Sequence, residues 1–358
     1  MSGPRVLMMA GGTGGHVFPA LAVADALRER GAEVVWMGTK AGLESRVVPA
    51  AGYRMEWVGV SGLRGKGWRT WLGAPWRLMQ AVWQALQAVR RVAPQLVVGM
   101  GGFVSGPGGL AAWLLRRPLL VHEQNAAAGL TNRVLARLAR TRLQAFPGAL
   151  PGARVVGNPV RGDILALPVP AQRFGERSGP VRLLALGGSG GALAINEMLP
   201  AALARLPAAQ RPVVRHQAGR TIDRAQAAYA EHAVAAEVSA FIEDMAEAYA
   251  WADLVICRSG ALTVAELAAA GLGAILIPYP HAVDDHQTVN GRYLTQRDAA
   301  VLVQQRDLDP ARLARLLGEL IGDRPRLLAM AEAARAAAWP DATRDIASAC
   351  LSLAEVRR

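Results

Sequence analysis

Two apolar strands in this chain run into the same kind of turn, and that pairing narrows the fold more than any other feature. Val6–Ala10 leads into Gly11-Gly12-Thr13-Gly14-Gly15 and an apolar helix. Arg182–Leu186 leads into Gly187-Gly188-Ser189-Gly190-Gly191 and the expected helix Ala192–Ala204. A strand, a glycine turn and a helix N-terminus together leave free backbone N–H groups at the positive end of a helix dipole, which suits an anion. His16 sits inside the first of these turns, so a titratable group stands where a phosphate or a reacting sugar would bind. Pro19 follows, and proline favours the first turn of a helix, so the helix is expected to open there.

Around each turn, strands alternate with helices. After the first helix come Glu33–Gly38, Gln95–Gly101, Leu119–His122 and Val155-Val156 as strand material. After the second turn come Val213–Gln217, Val238–Ile242, Leu254–Cys257 and Ala274–Pro278, with helices between them. Such alternation predicts a parallel sheet covered on both faces. Meeting it twice predicts an α/β chain of two doubly wound, Rossmann-like domains, facing each other across a cleft. Periodicity is lost in the proline-marked stretch Pro168–Pro180, which puts the linker or domain boundary within residues 160–180. The expected division is therefore 1–160, joined by a C-terminal helix within 341–358 that crosses back, and 161–340.

The chain has 358 residues and a net charge of +12. The charge is carried by arginine, with Lys40 and Lys66 as the only lysines. An excess of this size is read either as attraction to an anionic partner, whether phosphate, nucleic acid or membrane surface, or as a compositional habit of the genome. Cys257 and Cys350 are too few for a disulfide framework or a zinc site, which fits a reducing compartment. MSGPRVLMMAGG reaches its glycines after too few apolar residues for a secretory signal, and no run of about 18 apolar residues predicts a membrane span. Neither turn is followed by the acidic residue of a dinucleotide site, and no Gly-Lys-[Ser/Thr] occurs, so the common dinucleotide and ATP motifs are absent.

Four further stretches carry polar chemistry. In Arg258-Ser259-Gly260-Ala261-Leu262-Thr263-Val264-Ala265-Glu266 a strand ends and a helix opens. Its N-terminus suits a diphosphate and Glu266 suits the diol of a ribose; the alternative is a capping box with Glu266 supporting Thr263 or Ser259. His281-Ala-Val-Asp284-Asp285-His286-Gln287 follows a strand and reads as a binding loop, with a divalent metal as the less favoured reading. His122-Glu123-Gln124-Asn125, with Asn132 beyond, is unusually polar for a strand end. Trp68–Arg91 spaces Trp71, Leu72, Trp76, Met79 and Trp83 at about helical intervals between arginines. Together with Trp113-Leu114-Leu115-Arg116-Arg117, it reads as an interfacial membrane contact or as a packed core helix.

GGTGGHVFPALA, GMGGFVSGPGG, HEQNAAAGLTN, GNPVR, GGSGGA, RSGALTVAEL and the HAVDDHQ loop, taken in order along the whole chain, resemble the MurG family. These are the bacterial transferases that move N-acetylglucosamine (GlcNAc) from UDP-GlcNAc to lipid I, which is undecaprenyl-diphospho-N-acetylmuramoyl-pentapeptide, to form lipid II in peptidoglycan synthesis. The resemblance implies a GT-B fold and an inverting reaction with no catalytic metal and no cofactor. It implies His16 as general base or acceptor organiser; on the chemistry of the residues themselves, His16 is the first choice of base and Glu123 the second. It implies Thr13, Gly14, Gly15 and Asn125 as substrate contacts, and Arg161 and Ser189 at the diphosphate. Ile242 is implied beside the uracil, Ala261, Leu262, Thr263, Val264, Ala265 and Glu266 at the diphosphate and ribose, and Gln287 at the GlcNAc hydroxyls. The implied partners are the two substrates, an anionic inner-membrane surface approached from the cytoplasmic side, and other cell-wall synthesis proteins, but no nucleic acid. Two departures stand out: Gly190 replaces a longer polar residue of GGSQGA, and His286 replaces the first of a glutamine pair. Two other classes remain at this point. One is a related GT-B enzyme with a soluble acceptor or an epimerase activity. The other is a non-catalytic nucleotide-sugar sensor.

Overall fold

A computed structural model of the chain describes residues 3–59, 74–175, 177–188 and 190–355. The chain divides into two units, residues 1–160 with 341–358, and residues 161–340. In the first unit the elements run β1 (Arg5–Met9), α1 (Gly14–Glu29), β2 (Glu33–Gly38), α2 (Glu44–Ala50), β3 (Arg54–Trp57), α3 (Ala74–Val92), β4 (Leu96–Gly99), α4 (Ser105–Leu114), β5 (Leu119–Glu123), α5 (Leu130–Ala136), β6 (Thr141–Gln144) and β7 (Arg154–Val155). The second unit holds α6 (Gly162–Leu165), α7 (Pro170–Gly175), β8 (Arg182–Leu186), α8 (Leu193–Ala204), β9 (Val213–Gln217), α9 (Ile222–Glu231), β10 (Glu237–Ser239), α10 (Met245–Trp251), β11 (Leu254–Cys257), α11 (Ala261–Ala270), β12 (Gly273–Leu276), α12 (His286–Thr295), β13 (Ala300–Leu302), α13 (Pro310–Ile321) and α14 (Arg324–Ala336). The last helix, α15 (Ala342–Glu355), belongs to the first unit.

Both sheets are parallel and doubly wound. Their strand orders are β3-β2-β1-β4-β5-β6-β7 and β10-β9-β8-β11-β12-β13. Each order reverses beside the strand that carries a glycine turn: between β1 and β4, and between β8 and β11. Ligands of open parallel sheets bind beyond the strand carboxyl ends at such a reversal. The winding therefore places the Gly11–Gly15 turn beside Gly99–Gly102 in one unit, and the Gly187–Gly191 turn beside Arg258–Gly260 in the other.

The strands are apolar on both faces because helices cover both. In the first unit Val6, Met8, Leu96 and Leu120 pack against α1 and α15, while Leu7, Met9, Val97 and Val121 pack against α3 and α4. The last helix contributes Ile346, Ala347, Cys350 and Leu353, which makes it part of the first core. In the second unit Leu183, Ala185, Leu254, Ile256 and Ile275 form one core with α8, α13 and α14.

Two expected elements differ, and one strand was not expected. The first helix begins at Gly14, five residues before Pro19, which lies buried inside it. Gly14 and Gly15 take up helical backbone, so the proline merely leaves the Gly15 carbonyl without an intrahelical donor. The strand expected at Val238–Ile242 is only Glu237–Ser239. β6 was not legible, because its alternation of Thr141, Arg142, Leu143 and Gln144 puts one apolar side chain inward and an arginine outward.

Candidate active site

The first unit builds its site on the β1–α1 turn. Gly12 takes a positive φ of 92°, and its N–H donates to the Glu44 carboxylate at 2.9 Å. Glu44 is fully buried and also accepts from the Thr39 N–H and hydroxyl. Burial alone would raise its pKa, but the hydrogen bonds from Thr39 and Gly12 outweigh it, and the carboxyl stays below its ordinary range. An anion at Gly12 would therefore meet a carboxylate. Thr13 is the N-cap of α1 and makes no side-chain cap. Gly14 and Gly15 follow with N–H groups that precede the first intrahelical bonds.

His16 stands on the first turn of α1, partly exposed, with its Nδ1 3.0 Å from Gln124 Oε1. Gln124 Nε2 lies 3.1 Å from His122 Nδ1 and 3.3 Å from the His122 carbonyl. His122 Nε2 lies 3.0 Å from the Gly157 carbonyl. Burial pulls the His122 pKa down to about 4, so this histidine is neutral at pH 7. A Cβ on Gly101 would come within 2.6 Å of His16 Nδ1, and one on Gly102 within 2.3 Å of the Gly11 carbonyl. The second glycine cluster is thus the wall against which the histidine turn closes.

Glu123, expected as the second candidate base, is corrected by its surroundings. It is 1% exposed. One oxygen accepts from the Asn125 N–H at 2.9 Å and the Asn125 side chain at 3.3 Å. The other accepts from Asn132 at 2.9 Å and the Gly129 N–H at 3.3 Å. Four donors saturate its lone pairs, so it shapes the loop after β5 and has no room to take a substrate proton. Asn125 is held by the same carboxylate.

In the second unit α11 starts at Ala261 with Gly260 as its N-cap and no side-chain cap. The capping box is therefore not formed. Glu266 lies a turn further along and accepts from the Tyr249 hydroxyl at 3.0 Å. Burial raises its pKa, while the Tyr249 bond and the Arg161 charge oppose that. Arg161 is the N-cap residue of α6, about half exposed, with Asp163 at 4.0 Å. Ala261, Leu262 and Thr263 form the first turn of α11; Val264 and Ala265 lead to Glu266. Gln287 accepts from the Tyr279 N–H at 2.9 Å. Ile242 is half-buried between β10 and α10. Ser189 lies outside the described residues. A Cβ on Gly190 would have only Arg220, at 3.9 Å, within reach, so the position is open to a longer side chain.

Arg258, prominent in the motif, is structural: it donates to the Ile277 and Pro278 carbonyls and to Gln305. In the loop after β12, Asp284 and Asp285 both take left-handed backbone, and Asp285 accepts from Thr288 at 2.6 Å. Among the described residues no three His, Cys, Asp or Glu side chains are grouped to hold a metal ion. The sequence motifs left Gln124, Glu44 and Tyr249 unassigned. Only Gln124 carried a signal, as one of four polar residues in a row at a buried strand end.

Two Rossmann-like parallel-sheet units define a GT-B glycosyltransferase architecture. The Glycosyltransferase family 28 N-terminal domain matches residues 6–144, and the Glycosyltransferase family 28 C-terminal domain matches residues 182–346. The chain belongs to glycosyltransferase family 28 and, within it, to the MurG family. A protein of Alkalilimnicola ehrlichii is 59% identical over 97% of this chain and 98% of its own length. One of Chromohalobacter salexigens is 59% identical over 97% of this chain and 96% of its own. Both are named UDP-N-acetylglucosamine--N-acetylmuramyl-(pentapeptide) pyrophosphoryl-undecaprenol N-acetylglucosamine transferase. The crystal structure of Acinetobacter baumannii MurG matches with a TM-score of 0.87 and 41% identity, covering 98% of this chain and 99% of that one.

Proposed function

We propose that the chain transfers GlcNAc from UDP-GlcNAc to the 4-hydroxyl of the N-acetylmuramoyl residue of lipid I, with inversion, giving lipid II and UDP. The observation that carries the reading is likeness over nearly the full length, at 59% identity, to transferases so named. The geometry of each unit supplies matching chemistry. The acceptor oxygen attacks the anomeric carbon, and the bond from that carbon to the diphosphate oxygen breaks with its electron pair on UDP. The hydroxyl proton passes to His16 Nε2, acting as general base. The leaving diphosphate is met by the N–H groups of Ala261, Leu262 and Thr263 at the positive end of α11, by the Arg161 charge and by Ser189. Glu266 accepts from the ribose diol, Ile242 lines the uracil through its backbone, and Gln287 reads the sugar hydroxyls. Thr13, Gly14, Gly15 and Asn125 are read as substrate contacts. The first unit is read as the acceptor unit and the second as the UDP-GlcNAc unit.

The acceptor is a lipid, and the first unit has a face that suits one. On α3 the small residues Ala81, Ala85 and Ala88 point into the core, while Trp76, Leu78, Met79 and Trp83 are exposed, with Arg77 among them. Trp113 and Leu114 at the end of α4, which packs on α3, are exposed as well. A core helix would show the reverse, so the apolar stripe is read as a peripheral contact with the anionic cytoplasmic face of the inner membrane. Trp71 and Leu72 lie outside the described residues. Among the described residues no helix is long and apolar enough to cross a membrane.

The testing experiment follows UDP release and lipid product from UDP-GlcNAc with and without a lipid I analogue. Acceptor-dependent release with a disaccharide-lipid product is expected. Binding without turnover would favour a sensor, and transfer to water or a soluble acceptor alone would overturn the assignment.

A further inference from the structure

The hydrogen bonds beneath His16 have only one consistent set of directions. The Gly157 carbonyl can only accept, so His122 Nε2 carries a proton and donates to it. His122 is neutral, so its Nδ1 is a bare acceptor. Gln124 therefore turns its NH2 end toward His122, where it meets Nδ1 at 3.1 Å and the His122 carbonyl at 3.3 Å. Two acceptors on that side fix the amide orientation. The opposite end, Oε1, can only accept, and it faces His16 Nδ1 at 3.0 Å. The His16 proton must then sit on Nδ1, which leaves Nε2 with its lone pair. No described residue takes Nε2. An isolated neutral imidazole prefers the opposite tautomer, with the proton on Nε2, and in that form His16 would present a donor instead of a base.

We propose that Gln124 is a positioning residue for the transfer reaction: anchored through His122 to the Gly157 carbonyl, it holds His16 in the Nδ1–H tautomer and so presents Nε2 as the proton acceptor. The inference rests on reading His16 as that acceptor. The Gln124 carbonyl is itself held by Asn158 Nδ2 at 2.9 Å, so the amide is tied on both backbone and side chain. The ring is held against Gly101, where a Cβ would strike Nδ1. Among the described residues of this unit, Glu44 from α2 binds the Gly12 N–H of the same turn, and Glu123 stands between His122 and Gln124 at the end of β5. At the start of α4 the Ser105 hydroxyl donates to the Gly101 carbonyl at 2.8 Å.

The test uses the full chain, 15N-labelled at its six histidines, with His16→Ala to assign the His16 resonances. Long-range 1H–15N spectra of the wild type should show a protonated His16 Nδ1 and a bare Nε2. Gln124→Leu, which offers no acceptor, should move the proton to Nε2. It should also lower kcat by roughly 10²-fold, since a catalytic imidazole in the wrong tautomer loses most of its function, with KM for UDP-GlcNAc changing less than about twofold. Gln124→Glu keeps an acceptor toward His16 Nδ1 and adds a negative charge; having no NH2 to donate, it also draws the His122 ring proton to Nδ1. It should retain the Nδ1–H tautomer of His16, recover much of kcat at high pH, and shift the acidic limb of the kcat–pH profile upward. A role confined to folding would not produce that rescue. A folded Gln124→Leu with wild-type kcat, or with Nδ1 still protonated, overturns the proposal. Should Gln124→Leu not fold, Gln124→Glu decides alone, and an unshifted pH limb overturns the proposal. Failure of the underlying reading shows separately, as undiminished kcat in His16→Ala with the tautomer shift intact.

Discussion

Each unit buries a neutral histidine close to its glycine turn, and the two networks end differently. In the second unit His216 is almost fully buried, with its pKa brought down to about 4 by desolvation. Its Nε2 faces Asn196 Oδ1 at 3.0 Å and its Nδ1 the Tyr229 hydroxyl at 3.0 Å. Asn196 turns its NH2 to the Ala218 carbonyl and to Thr221 Oγ1, beside the Gly187–Gly191 turn. Its partners are buried or half-buried groups of the same unit, so the network closes on itself beside the turn. In the first unit the equivalent chain runs from the Gly157 carbonyl through His122 and Gln124 and comes out at His16. The turn motif is the same; what differs is whether the buried network ends on an interior group or on the partly exposed His16. On the proposed reading, the polar residues beneath a glycine turn decide whether the place can move a proton.

This contrast is sharpest in a pair of substitutions. His16→Ala should lower kcat by about 10²- to 10⁴-fold, the usual worth of a general base, with UDP affinity unchanged. His216→Gln should cost stability but leave kcat of the folded enzyme within a few-fold. Equal losses of kcat in both, measured on fractions shown to be folded, would erase the distinction.

Next comes Glu266, the carboxylate proposed for the ribose. Glu266→Ala should weaken UDP-GlcNAc binding roughly ten- to hundredfold, from loss of charged hydrogen bonds worth about 1.5–3 kcal/mol, with a smaller change in kcat. Calorimetry with UDP reads this directly, and wild-type affinity would reduce Glu266 to a partner of Tyr249.

Both buried histidines should make the same contribution to acid sensitivity despite their different roles. Each is held near pKa 4 in the folded chain and returns to about 6.5 when unfolded. The unfolded chain therefore binds the extra proton first. Stability is complete above pH about 6.5 and declines as pH falls toward 4, by roughly 3 kcal/mol for each group at most. Urea midpoints between pH 7.5 and 4.5 report it, and His216→Gln should show a shallower decline. An identical slope in that variant would mean that His216 does not titrate as described.

The smallest expected effect concerns the outer surfaces. Replacing Trp76 and Trp83 together by Ser should reduce binding to anionic vesicles several-fold without lowering the melting temperature, because both side chains point away from the core. Retained vesicle binding would remove α3 from the proposed contact.

The winding was legible because short apolar strands and glycine turns recur in the same order twice, and a parallel sheet is the arrangement that buries such strands on both faces. β6 was not, since one inward leucine between Arg142 and Gln144 carries no pattern until β5 and β7 flank it. Glu266 was legible as a carboxylate near a helix start, but the choice between a helix cap and a ligand contact was not. Gly260, rather than Ser259 or Thr263, caps α11, and Tyr249 arrives from α10 to occupy one side of the carboxylate.

The sequence by itself determined that two strand–turn–helix units exist, that a histidine lies in one of the turns, and that the chain resembles the MurG family. These are local and ordered facts, set by spacing along the chain. The tertiary structure decided what the residues of HEQN do. Glu123, which looks like a base on paper, is saturated by four donors. Gln124, which looks unremarkable, links a buried histidine to a reachable one. Residues 16, 122, 124 and 157 are far apart in the chain, and only the adjacency of β1, β4 and β5 in one sheet brings them into hydrogen-bond distance, where donor direction fixes which nitrogen of His16 carries the proton.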